Sequence, residues 1–353
     1  MRIFQKYLVG LYLKNLLIVF SALSLFYVGI DILQNLKDLP PSANLQTLYF
    51  LYKFLDSINY LLPISLIFAM IFTKLGMIKN NELVSLYSFG ISKNSIITPI
   101  FFISLIITLI HILLNATPFA YAGEYAKNIK KYHRASSGSN DLFLKNFDTY
   151  IYIKHLNPFK KEAENLKLFV TRNGDLEKII KAEKAVFKNN SWELEEVTII
   201  KKPKVSLQNG GKLEIESKKS LKTLKNFKPK IIKNVFEGKT NFSIIDAYYA
   251  IKLLKPQEIN VEKIKGILYL LTVFPLFAPF FILASFYYIP ISARFFDTAL
   301  FGTIFILSSL VLWGILFILA KITINGILLP EIGIVLPVSV LIITAISLYI
   351  KHK

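Results

Sequence analysis

The sequence predicts an α-helical polytopic membrane protein with six transmembrane helices and an all-β domain inserted between the third and the fourth. Three observations predict it. Six uncharged apolar stretches, residues 16–30, 57–73, 95–123, 266–293, 298–320 and 332–350, approach or exceed the roughly 20 residues that a helix needs to cross about 30 Å of hydrocarbon. The charge lies elsewhere: residues 124–265 hold 30 of the 42 Lys and Arg and 17 of the 23 Asp and Glu, so this stretch belongs outside the hydrocarbon. It also reads as strands rather than helices, with β-branched and aromatic residues alternating with polar ones.

The chain opens with "MRIFQKYLVGLYLKNLLIVF", basic residues before an apolar run as in a signal peptide. No small-residue cleavage pattern follows cleanly, and the segment is read as a retained first helix. The first two apolar runs fall short of 20 residues and borrow flanking residues to span. Asp31 and Lys37 bracket the outer end of the first. Charges in such places commonly snorkel to the interface; the alternative is a point of arrival for an anionic amphiphile, with Lys37 offering a point charge to phosphate.

Between the second and third spans stands "NNELVSLYSFGISKNSIITPI", residues 80–100, too long for a simple reversal. Leu83, Leu86, Phe89 and Ile91 form one apolar stripe, while Glu82, Ser85 and Ser88 face away, as in a short interfacial helix. Gly90 allows the turn and Pro99 tolerates the start of the third span. Such a helix either rests on the membrane or docks into a groove of a partner, Glu82 meeting a basic residue there. In the third span His111 could relay protons, but no acidic residue shares the span and a packing role fits better.

In the insert, residues 149–156, 165–171, 184–202 and 212–217 read as strands separated by Asn-Gly, Asn-Asn and Gly-Gly pairs. About 100 residues of antiparallel sheet with one apolar face follow; that face is either a closed core or an open surface. With the N-terminus inside, the inner segments carry Arg2, Lys6, Lys14, Lys74, Lys79, Lys93, Arg294, Lys351 and Lys353, against Lys37, Lys53 and Lys321 outside. This puts the insert outside, and the basic residues flanking it count little because long domains weigh weakly in the rule.

Of the formal charge of +19, +13 falls on residues 124–265, scattered among strand-like residues without a recognition motif, which argues against nucleic acid and for anionic lipid. No cysteine occurs, so disulfides and thiolate metal sites are excluded. The tripeptide Gly238, Lys239 and Thr240 lacks the upstream glycine of a phosphate loop, position 233 being Lys. Ser104 and His111 lie seven apart on one span without a glycine-flanked serine motif, which argues against an intramembrane protease. No catalytic residue, metal site or cofactor is expected in this chain. A secondary transporter would need more intramembrane ionisable residues than His111; a membrane scaffold with a basic lipid-binding domain is the other alternative.

Glu82, Leu83, Gly90 and Ser92 match the coupling-helix pattern Glu-Leu-x-x-x-Arg-Ala-x-Gly-x-Ser of the LptF/LptG (YjgP/YjgQ) lipopolysaccharide export permeases, with Tyr87 and Ser88 in place of the Arg and Ala. "AEKAVFKNNSWELEEVTI" resembles the family's strand-turn-Trp-x-Leu element, and Gly326, Pro330 and Pro337 resemble landmarks of the LptG side. The resemblance runs over nearly the whole chain and favours an LptG-like subunit. It implies a first transmembrane half (1–123, coupling helix about 80–92), a periplasmic β-jellyroll-like domain (124–265) and a second transmembrane half (266–353) in the bacterial inner membrane. It further implies the permease half of an ATP-binding-cassette exporter that passes lipopolysaccharide to LptC/LptA-like bridge proteins. The expected companions are an LptF-like or LptG-like partner permease and an LptB-like ATPase dimer that uses the ATP. Glu82, Leu83, Leu86, Gly90 and Ser92 would couple to the ATPase, and Lys37 would contact lipid phosphate where Asp31 replaces another possible Lys. Phe187, Trp192, Leu194 and Val197 would face an acyl-chain groove.

Overall fold

A computed structural model describes residues 2–133, 138–158, 160–203, 213–236, 241–292 and 297–352. Arg134, Arg294, Lys353 and the Gly238-Lys239-Thr240 tripeptide lie outside the described residues. Contacts divide the chain into two compact units: Met1–His133 with Ser243–Ile245 and Glu262–Lys353, and Arg134–Phe242 with Asp246–Val261.

The first apolar run sits in α1 (Ile3–Asn35) and the second in α2 (Ala43–Lys79). At 1.5 Å per residue the 37 residues of α2 reach about 55 Å, well past the hydrocarbon thickness. Both helices are longer than their apolar runs because polar flanks cost nothing once they leave the lipid. A short helix, α3 (Glu82–Ser88), precedes α4 (Lys93–Leu114), which is the third span, and α5 (Ala122–Tyr132). Pro99 lies inside α4 rather than at its start.

The second unit holds β1 (Ser139–Asn146), β2 (Thr149–Asn157), β3 (Glu162–Arg172), β4 (Asp175–Lys188), β5 (Ser191–Lys201) and β6 (Glu214–Thr223). They form one antiparallel sheet in chain order, a meander with no crossover among the described residues. The run 184–202 forms the β4–β5 hairpin, turning at its expected Asn-Asn break, with Asn189 and Asn190 at φ 46 and 62°. Asparagine tolerates this left-handed pair better than most residues, and the pair matches the twist of the flanking strands. Asp141, Asn165 and Glu196, all at positive φ, each interrupt the ladder for one pair without shifting its register, whereas the β3–β4 pairing shifts between Val170 and Thr171, as at a β-bulge. Two helices follow, α6 (Pro229–Phe236) and α7 (Ile244–Leu254).

The fourth span breaks into α8 (Glu262–Thr272) and α9 (Phe277–Phe286) around Pro275, whose missing N–H cannot continue the ladder. The fifth is α10 (Thr298–Ile324), N-capped by the Asp297 carboxylate, which accepts from Ala299 and Leu300 N–H. The sixth begins as a wide turn over Glu331–Val335 and continues as α11 (Leu336–Lys351). Gly333 is required there: a Cβ would lie 1.8 Å from Thr323 Oγ1 of α10. Among the described residues six helical stretches are long and apolar enough to cross a membrane. Of the apolar window of α2, 72% is buried, against 17% for α1 and for α10. α2 is therefore the central post, and α1 and α10 turn most of their apolar surface outward, as lipid permits and water would not.

Candidate functional site

The corner between α2 and α4 is held from three directions. Leu83 is fully buried in the helical core, which pins α3 against the bundle. The Glu82 carboxylate accepts from Tyr7 Oη of α1 at 2.9 Å and from Asn80 Nδ2 at 3.1 Å. After α3 the chain reverses at Gly90, whose φ of 74° is left-handed; Gly90 N–H bonds Tyr87 O and Ile91 N–H bonds Leu86 O, the double closure that ends a helix. Ser92 then caps α4, its Oγ accepting from Ser95 N–H at 3.2 Å. Leu86 is half-buried, but Phe89 is 82% exposed and Val84 also faces out. The expected stripe therefore divides, Leu83 packing inward while Phe89, past the last helical turn, swings outward. Tyr87 packs against the core, and burial pushes its hydroxyl up to about 12.

At the other end of the same bundle the charges satisfy one another. Asp31 pairs with Lys53 at 2.9 Å and also accepts from the Tyr49 hydroxyl. Lys53 stands 5.2 Å from the Tyr27 ring centroid. Lys130 donates to Asn35 Oδ1 at 2.7 Å and lies 3.8 Å from Asp38. Lys37, in the turn after α1, is exposed and forms no ion pair among the described residues.

The sheet residues expected to face an acyl-chain groove are placed differently. Trp192, Leu194 and Val197 are fully buried, and Phe187 is half-buried with its ring 5.6 Å from that of Trp192. Leu224, Phe227 and Ile232 cover them, and Trp192 Nε1 donates to Phe227 O at 2.7 Å. This corrects the expectation of an open face for these residues: alternation shows that one face is apolar, but the segment that covers it is supplied some 30 residues later. An open apolar concavity in this unit lies elsewhere, about 310 Å³ between β1 and the two helices, lined by Phe143, Leu144, Ile231, Leu253 and Ile259 among others.

The sequence model of the family described as lipopolysaccharide export system permease LptF/LptG matches residues 6–351. The chain belongs to this family. A comparison with curated proteins finds no match. It is thus a multi-pass membrane protein with a permease role in lipopolysaccharide export. In this LptF/LptG-family chain the four motif residues of the corner do separable physical jobs: Leu83 anchors, Glu82 presents charge, Gly90 reverses the chain and Ser92 starts the next helix.

Two buried polar residues of this permease have structural partners that sequence reading did not find. Lys74, counted above as an inner charge, is 3% exposed and donates to the carbonyls of Phe286 and, at 2.7 Å, Ile289, with Nζ 3.9 Å from the Phe286 ring centroid. It thereby caps the end of α9. His111 Nε2 lies 3.0 Å from Asn59 Oδ1, which also accepts from Asn115 Nδ2 at 3.1 Å. Such a triad ties α4 to α2 and gives His111 the packing role expected of it.

Proposed function

We propose that this chain is one membrane half of an ATP-driven lipopolysaccharide exporter, with its N-terminus and α3 in the cytoplasm and its β unit in the periplasm. A second LptF-like or LptG-like permease completes the membrane part, and an LptB-like ATPase dimer docks on α3. The observation that carries this reading is the corner itself. A carboxylate whose two oxygens accept, among the described residues, only from neutral groups keeps its full negative charge for a basic groove, and the exposed Val84 and Phe89 supply apolar area beside it. Lys37 is the lipid-phosphate contact at the other end, beside the Asp31–Lys53 pair, which phosphate would compete to open.

Lipid chains cannot cross water on the way. Each exposed CH₂ costs about 0.8 kcal/mol, so a many-chained lipid must pass from one apolar surface to another. The concavity beside β1 offers such a surface on the β unit, and LptC/LptA-like bridge proteins would receive the lipid next. Chain binding against Trp192, Leu194 and Val197 would first require the Leu224–Ile232 cover to lift.

Glu82→Lys tests the reading. The variant should insert normally, lose copurified ATPase on the order of tenfold or more and fail to support export when the native gene is depleted. Full ATPase recovery together with full export would show that α3 is not the docking element.

A further inference from the structure

Beside α3, the start of α4 meets the ends of α9 and α11 in one polar junction. Asn94 Nδ2 donates to Tyr349 O at 2.9 Å, and Asn94 Oδ1 accepts from Tyr287 Oη at 2.7 Å. The Thr98 and Tyr349 hydroxyls lie 3.1 Å apart, and the His352 ring stacks on Tyr287 with centroids 4.5 Å apart. Toward the middle of the spans, the same three helices leave a groove of about 270 Å³. Phe101, Phe102, Phe280, Leu283 and Ile346 line its length, and Thr98 and Tyr349 stand at its polar end. Phe102 and Ile346 are 54% and 45% exposed, so the groove opens sideways, where lipid surrounds a spanning helix. On the other side of the junction stand Lys93, the first residue of α4, Lys351, the last of α11, and His352. Neither lysine forms an ion pair among the described residues.

We propose that this groove holds one acyl chain of an anionic phospholipid whose phosphate is bound by Lys93 and Lys351. The lining decides for a lipid chain: the groove is apolar along its length and opens sideways where lipid surrounds a spanning helix, and a hydrocarbon chain can thread it. The charge decides the headgroup. Two lysines without carboxylate partners among the described residues, set at the ends of spanning helices, lie where headgroups lie, and each attracts an anionic surface measurably. A free phosphate ion would satisfy the lysines but leave the apolar groove unexplained. The bound lipid would also brace the Asn94 junction, which directly follows the α3 corner. The proposal rests on the spanning helices and does not require the ATPase to dock there.

The test is lipid retention by the full-length chain, with whatever partners accompany it, purified in mild detergent from membranes of mixed zwitterionic and anionic phospholipid and read by mass spectrometry. Wild type should retain anionic lipid in excess of its share of the membrane. Lys93→Glu/Lys351→Glu should lose it on the order of tenfold, Lys93→Arg/Lys351→Arg should keep it, and Thr98→Trp, which fills the polar end of the groove, should lower it without changing the charge. Lys6→Glu/Lys79→Glu, an equal charge reversal at the same end of the bundle, should keep it. Retention in proportion to the bulk membrane, equal loss in both double reversals, or undiminished lipid in Lys93→Glu/Lys351→Glu or in Thr98→Trp would each overturn the site.

Discussion

The two ends of the helical bundle hold their charges differently. At the α3 end, Glu82 is held by a tyrosine and an asparagine and Lys74 by two carbonyls. At the far end, Asp31 is held by Lys53, Lys130 by Asp38 and Lys265 by Glu331. Glu82, half-exposed and fixed by neutral partners, keeps its sign for an outside group, and the buried Lys74 directs its charge at the end of α9, whereas the paired charges at the far end cancel until a competitor separates them. The first arrangement suits a standing protein contact and the second suits a charged ligand that comes and goes.

The strongest way to break this contrast is to remove the cation at Lys74. Lys74→Met keeps the volume but strips the Phe286 and Ile289 carbonyls of their donor, and charge-assisted bonds of this kind are worth about 1.5–3 kcal/mol. Thermal unfolding in detergent should fall accordingly, with protease cleavage appearing at the end of α9. An unchanged unfolding temperature would mean that those carbonyls find other donors.

At the far end the partner can be removed instead. Asp31→Asn leaves Lys53 facing a neutral group in a site where both side chains are 18% exposed. The cost should be about 1–2 kcal/mol, less than for a fully buried pair because water reaches it. The freed cation should raise lipopolysaccharide capture by crosslinkers near position 53, and Asp31→Asn/Lys53→Met should recover stability without the gain in capture. Equal capture by all three proteins would mean that no competition occurs there.

Sequence patterning reached the spans because lipid demands long uncharged runs, and it reached the hairpin because Asn-Asn is a strong turn signal. It missed β1, whose sequence SNDLFLKN offers only a short alternation. It also put α5 with the insert, since a charged 11-residue helix looks soluble when its neighbours are unknown, whereas its contacts lie with the spans. The finer site geometry was out of reach for one reason. Tyr7 lies 75 residues from Glu82 and Phe286 lies 212 from Lys74, and no local pattern encodes such pairings. The buried state of Trp192 was hidden in the same way by its distant cover.

The smallest expected effect belongs to Lys37. Because it is exposed, Lys37→Ala should cost about 1 kcal/mol or less in lipid binding, roughly fivefold at most in lipopolysaccharide per complex. Lys37→Glu should be clearly worse because it adds repulsion, and neither should alter the recovery of the ATPase. Equal lipid in Lys37→Glu and wild type would make Lys37 an interfacial anchor only.

The contrast between the ends is tested most directly by placing one photo-crosslinking residue at Phe89 and, in a second protein, at Lys37, and identifying what each captures in intact cells. The expected result is an ATPase at position 89 and lipopolysaccharide at position 37, with neither found at the other position. Capture of lipopolysaccharide at 89, or of the ATPase at 37, would contradict both the proposed orientation and the division of labour between the two ends.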